Sequence, residues 1–145
     1  MENDSKFEIE ETEEQEIEES DVITFEINSY PSDFTLKGFL DKWDKKTLFN
    51  PKFQRSYVWD KVQASKLIES FLLGLPVPGV FLYKERRTNK LMIIDGNQRI
   101  QSVVRYFKNK FGESIFRLKN VNAKWIGKTF DELNESEKNL LEDSV

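Results

Sequence analysis

The sequence predicts an α+β domain, a mixed sheet flanked by helices, behind an acidic N-terminal leader. Three observations carry this. Apolar residues recur at helical spacing in three separate stretches, near residues 36–43, 64–72 and 100–107. Two β-rich runs, 80–84 and 90–94, bracket a polar turn. The charge changes sign abruptly after residue 21. Residues 1–21 hold eleven acids against Lys6 alone, a net −10, while 22–145 hold 15 acids and 21 bases, a net +6.

Taken in order, residues 1–21 have the low hydrophobicity and high charge of a segment that buries too little to fold, so a disordered leader is expected. A second reading makes the leader a competitor for whatever anionic ligand the basic body takes. Residues 22–145 form the domain, which is expected to be truncated at its C-terminal end. Val22 to Ile27 alternates weakly, as a short strand would. Leu36, Phe39, Leu40 and Trp43 then fall at i, i+3, i+4, i+7, with Ser32, Asp33 or Thr35 available as cap. The proline in Leu48 to Phe53 argues against helix and for an extended edge piece leading into Gln54-Arg55-Ser56-Tyr57-Val58-Trp59.

Asp60 with Gln63 three residues on has capping-box spacing, and Gly74 marks the end of the helix they open. Its buried stripe is Ala64, Leu67, Ile68, Phe71 and Leu72. Residues 80–84 and 90–94 make a hairpin around Glu85 to Asn89. After Asp95-Gly96 a further helix places Ile100, Val103, Val104 and Phe107 on one face. A strand near Ser114 to Leu118 follows, then the capping-box spacing of Thr129 and Glu132, then one or two short helices.

At 145 residues the chain can bury a single core. No apolar run approaches the roughly 20 residues of a membrane span, and no secretory signal opens the sequence. A cytoplasmic protein with no membrane partner is therefore expected. Cysteine and histidine are both absent. That excludes thiolate nucleophiles, imidazole bases and zinc sites of the nitrogen and sulfur kind. Any metal must be held by oxygen, which favours magnesium bridged to phosphates.

The chemistry concentrates in Leu91-Met92-Ile93-Ile94-Asp95-Gly96-Asn97-Gln98-Arg99-Ile100. A buried strand ends, a glycine permits a sharp turn and a helix begins at once. The first N–H groups of that helix lack intrahelical partners and carry positive partial charge, a ready seat for phosphate. Gly96 lets a ligand approach the backbone. Arg99 adds a forked cation at the border of the apolar face, beside Val103. Asp95 can hold magnesium or cap the helix. The plainer alternative is that Asp95 only caps and Arg99 pairs with a surface carboxylate. In the second cluster, Gln54 to Trp59, two aromatics beside Arg55 could stack on a base while the guanidinium holds phosphate. Alternatively, Tyr57 and Trp59 are core anchors.

Gln54-Arg55-Ser56-Tyr57-Val58-Trp59, then Leu67-Ile68-Glu69-Ser70 with Gly74-Leu75-Pro76-Val77-Pro78, then Ile94-Asp95-Gly96-Asn97-Gln98-Arg99, resemble the N-terminal domain of GmrSD-type modification-dependent restriction endonucleases. The resemblance runs from about Thr35 onward. It departs from the family's Asp-Gly-Gln-Gln-Arg signature at Asn97, one methylene shorter, and at Ser56, where glutamate is frequent. It implies a ParB/sulfiredoxin-like fold and a nucleoside-triphosphate site that regulates a nuclease domain in the same or a partner chain, with DNA reached through the full-length protein. Carried over by residue, nucleotide binding falls to Gln54, Arg55, Tyr57, Gly96, Asn97, Gln98 and Arg99. Catalysis falls to Asp95, Gln98 and Arg99, with magnesium at Asp95. Sulfiredoxin chemistry needs a cysteine and nuclease chemistry of the HNH kind a histidine, so this chain is expected to do neither. A ParB-like DNA-binding module without turnover, and a pure interaction domain, remain as alternatives.

Overall fold

The computed structural model describes residues 27–29 and 34–144. The leader 1–21, the candidate caps Ser32 and Asp33, and most of the Val22–Ile27 strand lie outside the described residues. Among the described residues a mixed sheet and four α-helices are observed, as an α+β sequence requires. The sheet has the order β1-β3-β4-β2, with β1 (Ile27–Ser29), β2 (Leu48–Phe49), β3 (Phe81–Lys84) and β4 (Leu91–Asp95). β3 pairs antiparallel with both β1 and β4, while the edge strand β2 runs parallel to β4. The two-residue length of β2 follows from Pro51, after which the chain turns and Gln54 N–H returns to the Pro51 carbonyl at 3.1 Å.

The helices are α1 (Leu36–Asp44), α2 (Lys61–Leu72), α3 (Asn97–Phe107) and α4 (Glu135–Asp143). Thr35 caps α1, its hydroxyl accepting from Gly38 N–H at 3.0 Å. Asp60 and Gln63 close a reciprocal box on α2, at 2.8 and 2.9 Å. Asn134 and Glu137 do the same for α4. α3 packs against α1 and α2, and α4 against the same pair. The core joins Leu82, Leu91 and Ile93 from the sheet to Ile68, Ile100, Val103 and Tyr106 from the helices. Phe71 and Phe107, expected in the buried stripes, are half-buried at its margin.

One element differs from expectation. The strand near Ser114 to Leu118 is only β6 (Ser114–Ile115), paired with an unanticipated β5 (Lys110–Phe111) across a turn at Gly112. Phe116 N–H still bonds in register to the Asn109 carbonyl, and the chain leaves the hairpin by Leu118, whose N–H bonds to the Lys128 carbonyl; both side chains are fully buried in the core. The Thr129–Glu132 spacing marks a single 3-10 turn, Phe130–Glu132, ahead of α4.

Candidate functional site

β4 ends at Asp95, and the junction with α3 is made by one residue. Gly96 stands at φ 104, in the left-handed region. A Cβ there would meet Val80 Cβ at 2.9 Å and its Cγ1 closer still. Glycine is thus demanded twice, by conformation and by the approach of the Val80 side chain. Gly96 is itself the N-cap of α3 and no side chain caps the helix. The reading of Asp95 as cap is corrected accordingly: the sharp turn turns its carboxylate away, leaving it exposed and 3.9 Å from Arg99 Nη2. The uncapped first turn of α3 carries the positive end of the helix dipole.

The segment Gln54 to Trp59 is strung along this junction by side-chain amides. Gln54 Nε2 donates to the Ile94 carbonyl at 3.1 Å, fixing the segment's start to β4. Buried Asn97 donates from Nδ2 to the Arg55 carbonyl at 3.3 Å and accepts from Gln101 Nε2 at 2.9 Å. Gln98 does most: its Oε1 accepts from the N–H groups of Val58 and Trp59, at 2.8 and 3.2 Å, and its Nε2 donates to the Ser56 carbonyl at 2.9 Å. One carboxamide thereby serves a stretch of extended backbone as a neighbouring strand would.

A polar cleft of about 220 Å³ results. Gln54, Arg55, Asp95, Gly96, Asn97, Gln98 and Arg99 all line it, joined by Trp59 and Ile94. Arg55 is exposed and has no hydrogen bond or ion pair from its side chain among the described residues. Arg99 is held. Its Nη2 donates to the Gly79 carbonyl at 2.9 Å, and its stem lies beside Val103 in the wall of a neighbouring apolar pocket, as the helical wheel predicts. Its side chain is 22% exposed, and its Nε is buried without a partner.

Tyr57 is not in this cleft. Its hydroxyl bonds to Ser102 Oγ at 2.9 Å, its ring stacks under the Arg105 guanidinium at 4.1 Å and meets Phe111 edge-on. Burial raises its phenol pKa, against the smaller opposing effects of the Ser102 bond and the Arg105 charge. Trp59 combines its two readings, half-buried on the core while lining the cleft. Among the described residues Asp95 is the one carboxylate lining the cleft, and no group of three acidic side chains is placed to hold a metal ion. A magnesium ion here would need most of its oxygen ligands from phosphates and water.

Sequence reasoning passed over several participants. Nothing in Val77-Pro78-Gly79 signals that the Gly79 carbonyl would receive Arg99. A signal did exist for Gln101, Ser102 and Arg105. With Gln98 they fall at i, i+3, i+4, i+7, a polar stripe on α3 that must face something polar, which is the 54–59 segment.

These features define an α+β domain in which a strand–glycine–helix turn and an arginine-bearing extended segment close on one polar cleft. The chain belongs to the GmrSD restriction endonuclease N-terminal domain family, whose model matches residues 36–145. No curated protein and no solved structure matches it.

Proposed function

We propose that the cleft binds the phosphates of a nucleoside triphosphate, and that the domain serves as the nucleotide-responsive module of a modification-dependent restriction endonuclease. The observation that carries this is convergence: two arginines 44 positions apart in sequence and the uncapped start of α3 face the same small cleft. A forked guanidinium and free backbone N–H groups are the two protein devices best matched to phosphate oxygens. Arg55 is the unengaged contact and Arg99 the fixed one. Magnesium enters with the nucleotide, and Asp95 is the side chain able to meet it. Gln98 acts by holding Ser56, Val58 and Trp59 rather than as a catalytic group, since both ends of its carboxamide are engaged with backbone. The ParB/sulfiredoxin-like architecture, the cytoplasmic setting and a nuclease domain in the same or a partner chain belong to this reading. Its support is the family membership.

Titration with nucleoside triphosphate in magnesium, by calorimetry or with a fluorescent analogue, tests it. Loss of one charge-assisted phosphate contact costs about 1.5–3 kcal/mol, roughly tenfold or more in affinity. Arg55→Ala should weaken binding by that order with an unchanged melting temperature, because its side chain supports nothing else. Arg99→Ala should weaken binding as much and also lower the melting temperature. Lys119→Ala, exposed and outside the cleft, should change neither. Unaltered nucleotide affinity in a folded Arg55→Ala variant, or no binding by the parent, would refute the assignment.

A further inference from the structure

A second groove lies on the other side of the 54–59 segment and differs from the cleft in kind. Two adjoining cavities, of about 820 and 390 Å³, share Trp43, Gln101 and Arg105 as common walls and so form one continuous depression. Its cations are Lys46 and Lys90 in the larger part, Lys108 and Lys110 in the smaller, and Arg105 between them. Among the described residues Glu85 is the one acid lining it, and Asp44 offsets only Lys108, through an ion pair. Lys46, Lys90 and Lys110 are exposed.

Arg105 is the centre. Its guanidinium is fixed over Tyr57 at 4.1 Å and lies 5.4 Å from the Phe111 ring, with no carboxylate partner among the described residues. A planar cation held rigid by aromatic stacking, and left without a counter-ion, is pre-set for bidentate capture of an anionic oxygen pair. Lysines spread on both sides of it make the field of a line, which suits a polymer better than a single small anion. We propose that this groove binds the sugar–phosphate backbone of double-helical nucleic acid.

The duplex is favoured over a single strand by what the aromatic rings are doing. Single-strand grooves bind by stacking bases on free ring faces. Here Tyr57 is covered by Arg105 and bonded to Ser102, and Trp43 is packed against the core, which leaves half-buried Phe49 as the one further ring along the wall. One half-buried ring falls short of the series of stacking faces that a single strand uses, whereas Lys46, Lys90 and Lys110 are all exposed. Gln101, half-buried and bonded to Asn97, links its floor to the signature turn of the cleft.

The test uses the whole chain and a fluorescent DNA duplex of about 20 base pairs, without nucleotide, so its outcome is independent of the triphosphate assignment. The parent should bind the duplex with a steep inverse salt dependence. Lys90→Glu/Lys110→Glu, one reversal in each half of the groove, should weaken binding about tenfold or more near 0.1 M salt and flatten the log–log salt slope by about two. Lys37→Glu/Lys119→Glu makes the same change in net charge at exposed positions outside the groove and should have a much smaller effect. Thermal melting controls for folding of both variants. Equal weakening by the two double variants would overturn the proposal, leaving only net charge. So would a single strand of the same length bound as tightly as the duplex, polyglutamate displacing the duplex at equal charge, or no binding by the parent.

Discussion

Gly96→Ala puts the most direct strain on the junction that builds the cleft. The substitution keeps every functional side chain and adds one methyl. Two costs follow from the structure. An alanine held at φ 104 loses about 1–2 kcal/mol relative to glycine, because Cβ crowds the carbonyl oxygen there. The methyl also enters space occupied by Val80, whose Cβ would stand 2.9 Å away, and overpacking of that kind typically costs about 1–3 kcal/mol. Their sum, about 2–5 kcal/mol, is a large share of the roughly 5–15 kcal/mol that holds an ordinary domain together. Urea denaturation should report it as a lower midpoint, and heating as a fall in Tm on the order of 10 °C. Val80→Ala in the same chain should restore part of the steric share and none of the conformational share. The double variant is therefore expected to be more stable than the sum of the singles. A Gly96→Ala variant within about 0.5 kcal/mol of the parent would refute the strain account. Strict additivity with Val80→Ala would refute the clash.

Gln98→Ala should cost toward the lower end of about 1–3 kcal/mol, since water can replace some of its three backbone bonds, and should expose the Val58 and Trp59 amides to rapid hydrogen exchange; unchanged protection would sink this. Glu137 is held below its usual value of 4.5: partial burial pushes it up, but the Trp125 indole N–H, the Asn134 cap and Lys128 and Lys124 outweigh it. Glu132 is also lowered, first by the Thr129 N–H. Both groups contribute stability that is present above pH 4.5 and lost as pH falls through their lower folded values. Glu137→Gln should flatten that acid slope in a melting series from pH 7 to 3, and an identical slope would contradict it. Deleting residues 1–21 changes the formal net charge from −4 to +6 and should strengthen duplex retention and steepen its salt dependence; equal retention would leave the leader without effect on the body.

The elements that were legible in the sequence are those with two concordant signals. α1 and α2 each join an apolar stripe to a cap, Thr35 in one and the Asp60–Gln63 box in the other. The β3–β4 hairpin joins β-rich runs to a polar turn. β5 is two residues long and offers no periodicity at all, so it was invisible until its partner β6 was placed. The site divides similarly. Gly96 and the start of α3 could be read because strand, glycine and helix are contiguous. Arg55 and Tyr57 looked like one cluster because they are two residues apart, yet they line different depressions. The 54–59 stretch is not a ladder strand, so the rule that alternate residues share a face does not govern it. Its twist is set by Gln98, Asn97 and Gln54, amides whose targets are backbone atoms about 40 residues away. Sequence spacing carries no trace of such bonds.

The letters of the signature turn therefore divide by labour rather than all pointing at a ligand. Gly96 is there for backbone conformation and for Val80. Asn97 and Gln98 spend their amides on hanging the 54–59 segment beside α3. This explains how Asn97 can stand where the resembled signature has glutamine: its target, the Arg55 carbonyl, is within 3.3 Å of the shorter side chain, and Gln101 supplies the second bond. Among the described residues only Asp95, Arg99 and the opposed Arg55 keep ionic groups facing the cleft, and of these Arg55 alone is unengaged. The amides build the cleft that the charges furnish. A substitution at Gln98 and one at Arg55 would thus both impair a ligand here by separate routes, the first by releasing the wall that carries Arg55 and the second by removing the charge from an intact wall. Melting temperature separates the two, because only the first disturbs bonds that exist without ligand.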